Sequence, residues 1–91
     1  MKYKVMLHQR AVKFLEGLDE RTRDRIKRSL RQLQVEPIRS RSGADIKRLV
    51  GTKGRQDLFR LRVGDFRVIY AIEGGAVWVA EIFSRGKGYR T

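Results

Sequence analysis

The residues in this chain whose type and spacing could do chemistry are arginines. Arg60, Arg62 and Arg67 stand on either side of a Gly64-Asp65 pair, and Arg85 opens a tail that also carries Lys87, Tyr89 and Arg90. A guanidinium is a planar fork of donors that holds two phosphate oxygens at once and stacks on bases, so a cluster of several suits a polyanion, RNA in particular. The overall charge agrees: 22 Lys plus Arg against 10 Asp plus Glu leave +12 on 91 residues. Composition removes other chemistries. With no cysteine there are no disulfides, thiolate nucleophiles or cysteine-ligated zinc, and the one histidine, His8, cannot build a metal cluster within one chain. No metal and no cofactor is expected.

For the arginines to meet, the segments around them must form a hairpin. Asp57 to Val63 and Phe66 to Ile72 both alternate, and Gly64-Asp65 is a two-residue turn signal. That turn sets Val63 opposite Phe66, Arg62 opposite Arg67, Leu61 opposite Val68 and Arg60 opposite Ile69. One face of the ribbon then carries Phe59, Leu61, Val63, Phe66, Val68, Tyr70 and Ile72, and the other carries the three arginines. Arg62 and Arg67 become a like-charged cross-strand pair, which costs stability unless an anion offsets it. A second turn, at Gly74-Gly75, closes in one of two ways. A two-residue turn would bury Glu81 unpaired. A three-residue turn through Ala76 sends Trp78, Ala80 and Ile82 to the core and puts Val79, Glu81 and Phe83 beside the arginines, and is preferred. It brings Arg85 to the same side, with Glu81 as an ion-pair partner for one of them.

The remaining elements complete the support. Tyr3 to Leu7 alternates as a strand, and Ala11, Phe14, Leu15 and Leu18 then fall on one face of a helix that His8 enters. Asp19 is the expected N-cap of a second helix with Ile26, Leu30 and Leu33 on its apolar stripe, ended at or before Glu36 by Pro37. Its Arg21, Arg23, Arg25, Lys27, Arg28 and Arg31 form a solvated face or a general electrostatic attractor. Ile38 to Gly54 reads as a connecting loop with Ile46 and Leu49 tucked under the sheet. The order gives one α+β domain over residues 1–91: an N-terminal strand, a two-helix hairpin, then a largely antiparallel three-strand meander, with the helices on one face of the sheet. No apolar run approaches the ~18 residues of a membrane span, so no membrane partner and a cytoplasmic location are expected.

The stretch Leu58-Phe59-Arg60-Leu61-Arg62-Val63-Gly64-Asp65-Phe66-Arg67-Val68-Ile69-Tyr70 resembles the central hairpin of the RelE/ParE toxin superfamily, an aromatic followed by R-L-R-x-G-x-aromatic-R-x-x-Y. Ala11, Lys13, Leu15 and Leu18, the Lys47-Arg48-Leu49-x-Gly51 segment, and Phe83-x-Arg85 with the late Tyr89 extend the resemblance over nearly the whole chain. In its RelE branch, the resemblance implies a type II toxin that enters the ribosomal A site and cuts messenger RNA by attack of a ribose 2′-hydroxyl, held inactive by a cognate antitoxin in a hetero-oligomer. It places Arg67 and Arg85 on the scissile phosphate, where they stabilise the transition state, and Arg60 where it neutralises or protonates the leaving 5′-oxygen. Tyr89 would stack on a base or activate the 2′-hydroxyl, with Lys87 assisting and Lys47 or Lys87 as the next candidate base. Lys47, Arg62, Lys87 and Arg90 make up the RNA-binding set. Two alternatives stay open: a ParE-like DNA gyrase inhibitor, and a basic RNA-binding module without catalysis.

Overall fold

The computed structural model describes residues 2–49 and 58–85. Its elements are β1 (Lys4–Leu7), α1 (Gln9–Glu16), α2 (Glu20–Val35), β2 (Asp45–Leu49), β3 (Leu58–Val63), β4 (Phe66–Glu73) and β5 (Ala76–Ser84). Among the described residues the strands form one sheet in the order β1-β5-β4-β3-β2. β1 runs parallel to β5, and the other neighbours are antiparallel. The helical hairpin lies on one face and carries the chain from one sheet edge to the other.

Each helix starts and stops for local reasons. His8 caps α1: its backbone is extended and its Nδ1 accepts the Arg10 N–H at 3.1 Å. Asp19 caps α2 by accepting the Thr22 N–H at 3.3 Å, which holds its carboxyl below the usual carboxylate range. Beyond Val35, Pro37 prevents continuation, and Arg41 folds back over the helix end, donating to the carbonyls of Gln32, Glu36 and Arg39 at 3.3, 3.0 and 2.6 Å. Glu36 accepts the Ile38 and Arg39 N–H groups, which lowers its carboxyl as well.

The apolar stripes of the two helices, Ala11 and Leu15 with Ile26, Leu30 and Leu33, bury against Phe59, Leu61, Val68, Tyr70, Val77, Val79 and Ile82 of the sheet. Phe59 and Tyr70 stack across β3 and β4 at 5.6 Å, and the Tyr70 hydroxyl donates to the buried Pro37 carbonyl at 2.7 Å. Burial pushes the Tyr70 phenol well above its ordinary value.

Two expectations need correction. The segment after Pro37 is not all loop. Asp45–Leu49 pairs antiparallel with β3 as an edge strand, making the sheet one strand wider than the N-terminal strand plus meander, and Ile46 alone of its side chains is fully in the core. The second turn has two residues, not three. Gly74 and Gly75 both adopt positive φ, 57° and 77°, the conformation a two-residue hairpin with right-handed twist needs, so Glu73 pairs with Ala76. Glu81 nonetheless stays out of the core, because a β-bulge shifts the register: Tyr70 pairs with Val79 and Ile69 with Glu81, leaving Ala80 as the extra residue. Val77, Val79 and Ile82 are therefore buried, whereas Ala80 is exposed and Trp78 lies 47% exposed on the open face. Val79 is core, against expectation. Glu81, Ile82 and Phe83 lie as expected.

Candidate nucleic-acid interface

The pleat of β3 and β4 sorts the motif into two functions. Leu61, Val63, Val68 and Tyr70 enter the core, while Arg60, Arg62 and Arg67 project from the face the helices leave uncovered. The register has Arg62 opposite Arg67, Arg60 opposite Ile69, and Lys47 of β2 opposite Arg60. Phe83 is opposite Arg67 at the start of the final turn, so Arg85 comes next to the Gly64-Asp65 turn, where its backbone N–H donates to Asp65 O at 2.7 Å. Lys47, Arg60, Arg62, Arg67 and Arg85 thus share one end of the open face. Lys87, Tyr89 and Arg90 lie outside the described residues.

Arg67 is the centre of the group. Its Nη1 donates to Gly64 O at 3.0 Å and to Phe66 O at 3.1 Å, so the turn fixes its guanidinium. Partial burial and then the positive charges of Arg62, Arg85 and Arg60 lower its pKa, and Asp65 opposes them. That mutual repulsion is the cost of gathering cations that the nearby carboxylate of Asp65 offsets only in part, and a bound phosphate would relieve it.

Arg60 is held differently. Its side chain is only 21% exposed, and Nη2 donates to Asp45 Oδ1 at 2.9 Å. The other Asp45 oxygen lies 3.8 Å from Arg62 Nη1, so one carboxylate spans two arginines. Arg60 Nε is buried with no hydrogen-bond partner among the described residues. Sequence reasoning gave the orienting role to Glu81 and missed Asp45, because Asp45 belongs to the segment read as loop. Glu81 is exposed opposite Ile69, and among the described residues it makes no ion pair. The available signal was the alternation Asp45-Ile46-Lys47, with Ile46 the one strongly apolar residue between two charges.

The assembly is a cluster of cations in which Arg60 is held by Asp45 and Arg67 by the turn, suited to binding a phosphate and stabilising added negative charge on it. Among the described residues no group of three His, Cys, Asp or Glu is placed to hold a metal ion, and His8 is occupied as a helix cap. Nor is any helix there long and apolar enough to cross a membrane.

This architecture matches known proteins. A curated relative, "Putative toxin RelE1" from Methanocaldococcus jannaschii, is 36% identical over 72 residues, covering 79% of this chain and 76% of that protein. The archaeal RelE-RelB complex from Pyrococcus horikoshii OT3 contains a chain that superposes with a TM-score of 0.79 at 33% identity, covering 97% of this chain and 100% of the other. The RelB-RelE antitoxin-toxin complex from Methanococcus jannaschii contains a similar fold, with a TM-score of 0.66 at 23% identity over 87% and 88% of the two chains. The family model for the ParE toxin of type II toxin-antitoxin systems, parDE, matches residues 5–89. With that match spanning both helices, the arginine hairpin and the C-terminal strand, this chain belongs to the RelE/ParE superfamily as a RelE-type toxin of a toxin–antitoxin system.

Proposed function

We propose that this toxin is a metal-independent endoribonuclease that cuts messenger RNA in the ribosomal A site. The observation that carries this reading is the convergence of Arg60, Arg62, Arg67 and Arg85 on the uncovered end of the sheet, with Arg67 clamped by the turn. In the reaction, a ribose 2′-oxygen attacks the adjacent phosphorus, the bond to the 5′-oxygen breaks, and a 2′,3′-cyclic phosphate remains on the upstream fragment. Arg67 and Arg85 hold the non-bridging oxygens and stabilise the extra charge of the phosphorane. Arg60 sits by the leaving 5′-oxygen and neutralises it or supplies its proton. Tyr89 takes the 2′-hydroxyl proton or stacks on a base, with Lys87 assisting and Lys47 as the alternative base. Arg62, Lys47, Lys87 and Arg90 bind the flanking phosphates.

The partner that restrains this activity is an acidic antitoxin segment. A net charge of +12 with an open cationic face suits such a chain, and the solved relatives are complexes of RelE with RelB. Sub-micromolar, salt-sensitive binding of the antitoxin is expected.

Primer extension on messenger RNA translated in a reconstituted system tests the reading. Cuts at A-site codons with ribosomes present, none on free RNA, and their loss in Arg67→Ala and Arg85→Ala are expected. The ParE description of the matching family model keeps a second reading in view, a non-catalytic DNA gyrase inhibitor. Intact messenger RNA together with inhibited gyrase supercoiling would establish that reading in place of the first.

A further inference from the structure

The open face does not end at the arginines. Beyond them along β4 lie Ile69 and Ala71, and Ala71 is paired with Trp78, which is itself paired with Met6 of the edge strand. Trp78 is 47% exposed, whereas its neighbours Ile69, Ala71 and Met6 are partly covered. The result is an apolar strip along β4, flanked by the exposed Glu81 opposite Ile69, with an indole at its far end on the same side as the cations. Four residues of β4 separate the rows of Arg67 and Ala71, a distance of about 13 Å at the rise of a strand. That is about four nucleotides at the ~3.4 Å spacing of a helical strand, and fewer in an extended one.

We propose that Trp78 is a base-stacking platform that seats a nucleotide flanking the phosphate held by Arg67, and so positions the strand for cleavage. The proposal rests on the nuclease reading above. Two observations favour single-stranded RNA over a protein segment as the occupant. The strip is continuous with a cluster of guanidinium groups, whose complement is a phosphodiester, and an indole face accepts any base, which suits a platform serving many sequences. The register adds a third. Val77 and Val79 fill the core, and the bulge at Ala80 keeps Ile82 in the core as well, so the same strand presents Trp78 and Phe83 outward at the two ends of one track.

Trp78 is the one tryptophan in the chain, so its fluorescence reports this position alone. The purified toxin is titrated with a 2′-O-methyl oligoribonucleotide, which lacks the attacking hydroxyl and stays uncut. A net charge of +12 ensures binding at low salt, and stacking is expected to quench the indole, while inorganic polyphosphate, which has charge but no bases, should not. Trp78→Ala should weaken oligonucleotide binding about ten-fold or more, and Trp78→Tyr should restore most of it. On programmed ribosomes the alanine variant should need more toxin for half-maximal cleavage and cut more slowly at saturation, with the tyrosine variant restoring both. Unchanged fluorescence on a bound oligonucleotide, or parental affinity in Trp78→Ala, overturns the platform. So does a Trp78→Ala variant that loses antitoxin but keeps RNA binding, which assigns the ring to the protein partner. Cleavage without quenching would sink the platform and leave the nuclease standing. Quenching by a strand that the toxin never cuts on ribosomes would do the reverse.

Discussion

Arg60 and Arg67 carry the same charge but depend on different supports, and their variants should fail differently. Arg67 uses one nitrogen on two turn carbonyls and keeps the rest of its fork for a phosphate. Lysine keeps the charge and loses the fork, so Arg67→Lys should lower the single-turnover cleavage rate by about 10²–10³, the scale of a lost transition-state donor, with an unchanged thermal midpoint. A rate near the parent's would mean that charge alone suffices there. Arg60 instead takes its orientation from Asp45, through a pair whose carboxylate side chain is 51% exposed. Breaking that pair should cost under ~1 kcal/mol of stability. In Asp45→Asn one negative charge leaves a cationic face while Arg60 loses its anchor. The expected kinetics are therefore split: tighter RNA binding at low salt together with a several-fold slower rate at saturation. If affinity and rate moved in the same direction, Asp45 would not be a positioning residue for Arg60.

Strands and turns decide which parts of the motif reach the open face, and Tyr70 shows how. It ends the same run as Arg67, yet the pleat sends it into the core, where its hydroxyl satisfies the carbonyl of Pro37 just after α2. Tyr70→Phe leaves that carbonyl buried and unpaired, which should cost about 1–3 kcal/mol in urea unfolding and leave cleavage per folded molecule intact. The pH dependence follows from the raised phenol. Its folded pKa lies above the ordinary 10.0, so the folded state retains the proton longer than the unfolded chain does. The contribution is fully present below about pH 10 and is lost as pH rises through the folded pKa. The stability gap between parent and Tyr70→Phe should accordingly narrow above pH 10, and a constant gap up to about pH 11 would contradict the burial argument. The hairpin behind this result was legible because Gly64-Asp65 sits between two alternating runs and leaves one register open. Both helices were legible too, since Asp19 and Pro37 bracket a clean Ile26-Leu30-Leu33 stripe. β2 was not, because an edge strand facing solvent holds one buried side chain, Ile46, among charges that discourage further pairing. β5 was half legible: both regular registers of Val77 to Phe83 are wrong somewhere, and the bulge that reconciles them leaves no mark in the composition. Asp45 and Trp78 fell in those two strands, and that is why the site was incompletely read.

On the scale of the whole molecule, the positive charge occupies two opposite sides. The open sheet face carries the arginine cluster, and across the core the outer surface of α2 presents Arg21, Lys27, Arg28 and Arg31, all exposed, while Arg25 reaches instead to the Gly64 turn at the edge of that cluster. A nuclease that acted on free RNA would need only the first. Under the proposed function, a protein that docks into a large ribonucleoprotein while its sheet face holds a messenger benefits from the second, because that surface raises the encounter rate with polyanions without touching the reacting phosphate. The double charge reversal Arg28→Glu plus Arg31→Glu should therefore slow association with programmed ribosomes, flatten the salt dependence of cleavage measured at sub-saturating toxin, and leave the saturated single-turnover rate and the thermal midpoint close to the parent's. Arg67→Lys should produce the opposite pattern, a lowered saturated rate with near-parental salt dependence. If the α2 reversal instead lowered the saturated rate, the helix surface would be part of the site that holds the messenger, and the division of charge between a docking side and a reacting side would be wrong.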